Sequence, residues 1–158
     1  MEAASAGPSR GGSKATQAIL WGTLIAGALD ITSAFLIYGV RGVSPIQILQ
    51  SVASGLLGRD SYQGGLGTAA LGAVLHFFIA FLACAVYYLA SRKIKILVQH
   101  AVICGLLYGA VVYFVMNNVV LPLSRYPGDT SFQLHTGLLV HMLMVGLPIA
   151  LVVRRYST

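Results

Sequence analysis

Four long apolar runs, at residues 18–40, 66–90, 97–120 and 136–153, decide what this chain can fold into. Each is about 18 to 25 residues, and at about 1.5 Å per residue a helix of that length crosses a hydrocarbon layer about 30 Å thick. A water-soluble core cannot absorb them. Hydrophobic residues make up 57% of the 158-residue chain and charged residues 9%, against about 45–50% and about 25% in soluble domains. The expected fold is all-α: a polytopic membrane protein with four transmembrane helices in a bundle.

A cleavable signal peptide is the alternative reading of the first run, because Arg10 and Lys14 precede it. The run exceeds the roughly 7 to 15 residues of a signal core and is interrupted by Asp30, so it is read as a retained span. Residues 1–16 are rich in Gly, Ser and Ala, show no apolar period and read as a disordered cytoplasmic tail. Residues 17–158 form the membrane domain.

Orientation follows from Lys and Arg. Arg10 and Lys14 precede the first run, Arg92, Lys93 and Lys95 join the second to the third, and Arg154 and Arg155 follow the fourth, whereas the opposite side holds Arg41, Arg59 and Arg125. The positive-inside rule then places both termini in the cytoplasm. The net charge of +6 is accounted for by these basic flanks, with the lipid bilayer as the expected partner and no nucleic acid.

The connection at residues 41–65 is more than a loop. Ser44, Pro45 and Gln47 form the pattern of an N-cap, a first helical position and a capping-box partner. Ile48, Leu49, Val52, Ala53, Leu56 and Leu57 recur at helical spacing, with Gln47, Gln50, Ser51 and Ser54 largely on the other side. A helix over 44–57 is too short to span and is expected at the outer interface, either as a cover or as a lid over a cavity. Pro122 ends or kinks the third span, and Pro127-Gly128 makes a turn.

Small residues mark the packing faces, since lipid supplies no hydrophobic drive between helices and close backbone approach must do the work. Gly22 and Ala26 lead to Asp30 in the first span; Ala69, Gly72, Ala73, Ala80 and Ala83 surround His76 in the second. Gly105 and Gly109 lead through Tyr113 to Asn117 in the third, and Gly137 lies one turn from His141 in the fourth. Every span therefore carries a polar residue on its expected inner face, making Asp30, His76, Asn117 and His141 the candidate intramembrane polar site. Asp30 and His76 fall near mid-depth, Asn117, Asn118 and His141 somewhat nearer the outer surface, and His100 and His135 near span ends. An ionised Asp at the centre of a spanning helix costs about 2.5–3.5 kcal/mol, so Asp30 needs a partner or a proton. His76 is the nearest partner in depth. A structural interhelical hydrogen bond, a proton or cation route and a ligand site are all open readings. Asn117 and Asn118 either satisfy carbonyls that Pro122 leaves unpaired or line a cavity mouth.

Other chemistries find little support. Cys84 and Cys104 lie within spans, with no CxxC or Cys/His cluster for zinc. His76 and His141 differ in depth and lack the further ligands of a haem site. Intramembrane hydrolysis needs a serine–histidine, paired-aspartate or HExxH arrangement, and the chain has one membrane aspartate and no HExxH. No metal, no cofactor and no enzymatic activity are expected.

ILWG (residues 19–22) and VICG (102–105) are weakly alike, and His76 and His141 each follow a glycine by four residues. Two related hairpins and chance likeness between apolar helices both account for this.

SVASGLLG (51–58), LHFFIAF (75–81), YGAVVYFVMN (108–117) and VVLPLS (119–124) resemble a group of short bacterial four-span inner-membrane proteins with no assigned activity. The resemblance covers most of the chain from Ala18 onward. It implies a bacterial origin, a multi-pass place in the inner membrane and the four-span architecture, and it carries over no functional residue. The expected function is passage of protons or a small solute through a polar interior centred on Asp30 and His76. The alternative is a non-catalytic structural or accessory membrane subunit whose polar residues only fix packing; homo-oligomers or other membrane proteins are the expected partners of either.

Overall fold

Ala, Leu and Ile dominate the first apolar run, and they hold a single helix, α1 (Arg10–Gly39), that starts earlier than composition suggested. The structure is a computed structural model describing residues 10–128 and 134–157. Of the tail expected over residues 1–16, residues 1–9 lie outside the described residues, while 10–16 belong to α1. Lys14, Ala15, Thr16 and Gln17 extend a helix already paid for by its apolar body, and Ala15 packs on the buried cluster around Tyr87 and Ile149. After α2 (Pro45–Leu57) and a tight 3₁₀ stretch (Gly58–Gln63), α3 runs over Gly65–Lys93. A short turn, α4 (Ile96–Gln99), precedes α5 (Ala101–Val115), which continues through a wide turn (Met116–Val120) into α6 (Leu121–Leu123). The last stretch comprises α7 (Leu134–Val140), a second wide turn (His141–Gly146) and α8 (Leu147–Ser157).

All regular structure among the described residues is helical. Lys14–Gly39, Gly65–Lys93, Ala101–Leu123 and His135–Ser157 are each long and apolar enough to cross a membrane. Their outward sides are apolar, with Leu36, Val74, Leu89, Ile103 and Leu107 all exposed, as lipid contact requires of a multi-pass protein. The third stretch differs from the expected 97–120. His100 leaves helical geometry at φ −112° and ψ 48°, which detaches residues 96–99, and the far end runs on through Pro122.

Glycine sets how closely these helices approach. Cβ atoms on Gly22 and Gly27 of α1 would strike Cys84 and Phe77 of α3, so α1 and α3 run antiparallel at short range. On the other side of the molecule, a Cβ on Gly105 would lie 2.9 Å from the Gly146 carbonyl oxygen, and one on Gly109 would lie 2.5 Å from Met142 Cα. This is a backbone-on-backbone crossing that only glycine permits. α8 returns past α1, placing Val152 beside Gly22 and the start of α1 and the end of α8 at one end of the described structure.

Both wide turns have the same cause. Leu121 N–H bonds the carbonyl of Met116 and Leu147 N–H that of Met142, each five residues back instead of four. Each leucine is followed by proline, Pro122 or Pro148. A proline ring clashes with the carbonyl four residues earlier, and an extra residue in the preceding turn moves that carbonyl aside.

At the end opposite the termini, α2 begins with the capping box: Ser44 Oγ accepts from Gln47 N at 3.3 Å and Gln47 Oε1 accepts from Ser44 N at 3.0 Å. It ends at Gly58, whose φ of 67° closes the last turn. Its sides do not divide as an amphipathic helix in water would. Gln50 and Ser54 are buried beside Ile48 and Ala53, whereas Ile46 and Leu56 are exposed. Gln50 Nε2 donates to Gly65 O at 3.0 Å and to the Thr68 hydroxyl at 3.3 Å, and that hydroxyl donates to Ser61 O at 2.6 Å. Arg125 N–H donates to Gly55 O at 2.8 Å, tying the loop after α6 to α2.

The glycine crossing makes a direct prediction. Gly109→Ala should lower the thermal midpoint of the detergent-solubilised protein through an overpacking cost of about 1–3 kcal/mol. Gly67→Ala, where a Cβ meets nothing within 4 Å, should leave the midpoint unchanged or raise it through a stabilisation of about 0.5–1 kcal/mol. Equal midpoints for Gly109→Ala and wild type would refute the crossing.

Candidate functional site

The middle of α1 has a sharp change of side-chain size, from Ala26 and Gly27 to Asp30 one turn later. The small pair lets α3 come close, and the carboxylate then projects where the helices part. Asp30 is half-buried, and its carboxylate makes no hydrogen bond or ion pair among the described residues. The Ser33 hydroxyl donates at 2.7 Å to the Asp30 backbone carbonyl, not to the carboxylate.

His76 does not bond Asp30. Its Nε2 lies 2.9 Å from Gly27 O, and since a carbonyl only accepts, Nε2 carries the proton. The Gly27 carbonyl is reachable because Gly27 has no side chain to hold α3 away. His141 opens the second wide turn and uses its other nitrogen: Nδ1 donates to Gly137 O at 2.9 Å. Its ring stands edge-on to Tyr113 at 5.4 Å between centroids, a contact that needs Gly137, whose Cβ would lie 2.7 Å from the Tyr113 ring. The two imidazoles are thus anchored through opposite nitrogens.

Two cavities meet at these residues. The larger, about 560 Å³, is walled by Asp30 and His76 at its base, by Gln47 and Ser51 of α2, and by Tyr38, Tyr62 and Tyr126. Among its described lining residues Asp30 is the one Asp, Glu, Lys or Arg. The smaller, about 200 Å³, is lined by Asp30, His76 and His141 among apolar groups such as Val112, Met116 and Val145. A third space of about 140 Å³ lies between Asp30, Tyr38 and His141. Asp30 borders all three, and the structure joins Asp30, His76 and His141 around the second. Asn117 is on the wall of none of them. Its amide donates to Tyr113 O at 2.8 Å, and that of Asn118 to Phe114 O at 2.9 Å. These carbonyls precede the wide turn; the one that Pro122 displaces belongs to Asn118, so the expected use of both amides is corrected in its target.

Toward the termini the interior closes. Tyr108 donates to Ala83 O at 2.7 Å and Tyr87 to Leu97 O at 2.9 Å, and their rings meet edge-on at 4.9 Å. Cys84, Ile149 and Val153 fill the space around them. The polar space therefore reaches Asp30 from the α2 side and stops at an aromatic floor.

Tyr38, Tyr62 and Tyr126 were not singled out by sequence reasoning. They come from the end of α1, the 3₁₀ stretch and the loop after α6, and the signal available was only that tyrosines gather at membrane boundaries. Burial, with the nearby Tyr62 and Tyr38 phenols, pushes the Tyr126 phenol above its ordinary value, so it is a neutral hydroxyl at physiological pH. No group of three or more His, Cys, Asp or Glu is arranged to hold a metal ion among the described residues.

No protein-family model, curated protein or solved structure matches the chain.

The opposite anchoring of the imidazoles can be read directly. Nitrogen-15 NMR of the protein in bilayers at a pH where both rings are neutral should find His76 as the Nε2–H tautomer and His141 as the Nδ1–H tautomer. A shared tautomer would contradict the bonds to Gly27 and Gly137.

Proposed function

We propose that this chain is a multi-pass protein of a bacterial inner membrane, with both termini cytoplasmic, that passes protons or a small solute through a polar interior centred on Asp30 and His76. The four spans form a bundle, and α2 lies at the outer interface with Ile46 and Leu56 toward lipid and Gln50 inward. The resemblance to short bacterial inner-membrane proteins supports the membrane assignment, and the seven basic residues flanking the terminal side support the orientation.

One observation carries the reading. The carboxylate of Asp30, without a partner among the described residues, and the ring of His76 line one cavity of about 560 Å³ and share no direct hydrogen bond. A charge of this kind inside a membrane is expensive, and bordering a cavity is where such residues serve routes. His76, with Nε2 committed to Gly27, can gain and lose a proton at Nδ1 without breaking that bond. His141 keeps Nε2 in the same way. The Tyr87–Tyr108 floor makes this a one-sided state, so passage requires that floor to yield or the helices around it to shift.

A second reading has its own support. Three of the four candidate residues, His76, Asn117 and His141, donate to backbone carbonyls, His76 across to α1 and the other two one turn back in their own helices, as they would in an accessory membrane subunit whose polar groups only fix structure, the interhelical bond of His76 contributing about 0.6 kcal/mol. Asp30 is the residue that this reading leaves without a task.

Proton flux into liposomes separates the two. Wild-type protein should dissipate a pH gradient, and Asp30→Asn, inserted at equal density and with an equal thermal midpoint, should fall to the rate of empty liposomes. Unchanged flux removes the route through Asp30, and loss of folded protein on this substitution favours the packing reading.

A further inference from the structure

We propose that the larger cavity is a binding site for an organic monocation, a quaternary or protonated amine, with Asp30 as its counter-charge and Tyr38, Tyr62 and Tyr126 as its π faces. The inference rests on the reading of this cavity as the entrance to the polar interior and specifies what enters.

Charge comes first. Among the described residues, Asp30 is the one carboxylate on the wall, no Lys or Arg lines it, and the carboxylate has no hydrogen bond or ion pair. A cation bound there completes an ion pair in a place where an isolated charge is costly. An anion meets repulsion, and a neutral solute leaves the charge unpaired.

Size and chemistry then separate organic from inorganic cations. A hard metal ion is held by several oxygens close together, whereas this wall offers one carboxylate in about 560 Å³, a volume in the range of small-molecule sites. Besides the Gln47 amide and the Ser51 hydroxyl, the wall carries three tyrosines, Tyr38, Tyr62 and Tyr126, whose rings can offer negative potential at their faces. Their phenols are near enough to influence one another, as the upward push on Tyr126 from Tyr62 and Tyr38 shows. Aromatic rings around a carboxylate suit alkylammonium groups, which have apolar surface to bury and a diffuse charge that attracts ring faces. At the rim the Tyr38 ring already has a cation over it: the Arg41 guanidinium carbon lies 5.9 Å from the ring centroid. Tyr126, neutral and half-buried, adds a hydroxyl that can orient a polar substituent on the ligand.

The test uses the full chain in lipid nanodiscs and calorimetric titration with choline and with 3,3-dimethylbutan-1-ol, its neutral isostere. Choline is expected to bind at least about tenfold more tightly than the isostere. Tyr62→Leu, a change at an exposed side chain, should weaken choline about two- to fivefold, and Tyr62→Phe should restore it. Asp30→Asn should weaken choline at least about tenfold. Equal affinity for choline and the isostere in wild-type protein overturns the proposal, as does absence of choline binding at millimolar concentration or an unchanged choline affinity in both Tyr62→Leu and Asp30→Asn. Proton flux is scored separately. Flux that depends on Asp30 without choline selectivity overturns this inference and leaves the route standing; choline selectivity without flux supports the cation site and removes the route.

Discussion

Close approach between backbones, made available by glycine, is the constraint on which the rest of the molecule depends. Gly105 and Gly109 of α5 lie against Gly146 and the His141–Met142 backbone, and Gly22 and Gly27 of α1 lie against α3. Apolar burial cannot hold these helices together in lipid, because the lipid is as apolar as they are; dispersion contacts between surfaces that fit must do so. Two tight pairs result, and Asp30 lies where they diverge. The cavities exist because contact is close in the terminal half, around Cys84, Tyr87 and Ile149, and relaxes beyond Gly27 and Gly109. Gly27 serves twice, since the approach it allows also exposes its carbonyl to His76.

Proline supplies a second level of control. Leu121-Pro122 and Leu147-Pro148 each widen the turn before them, and the two widened turns sit at the level of the polar interior. His141 begins one of them and Asn117 lies inside the other. A widened turn rotates the side chains that follow it relative to a regular helix, and such turns are common where a side chain must be aimed off the helical repeat. Val145, within the second turn, lines the smaller cavity beside His141.

Much of this was legible from the amino-acid order, because span length and the placement of Gly and Ala are local properties. Gly22, Ala26, Ala80, Gly105 and Gly109 are buried, as packing through small residues demands. Other features depend on geometry that no local pattern encodes. The partner of His76 is a carbonyl of α1 and not the Asp30 carboxylate, a choice made by ring orientation and helix spacing. Pro122 announced a kink, yet the widened turns became visible only as hydrogen bonds five residues long, and Pro148 is the residue that could have indicated the second. The three tyrosines of the larger cavity are brought together by α2 and by the Arg125–Gly55 bond. Gln50 was read as lying on the polar side of α2, yet it is buried while Ile46 and Leu56 are exposed, because its amide meets Gly65 O and Thr68, the reverse of the rule learned from helices in water.

That reversal bears on how the molecule is put together. The amide of Gln50 is matched by Gly65 O and Thr68, both at the start of α3. Without α3 the Gln50 amide on α2 would have neither Gly65 O nor Thr68 to bond. α2 therefore takes its seat from a helix that follows it in the sequence, and the part of the larger cavity's wall that Gln47 and Ser51 form is positioned through α3.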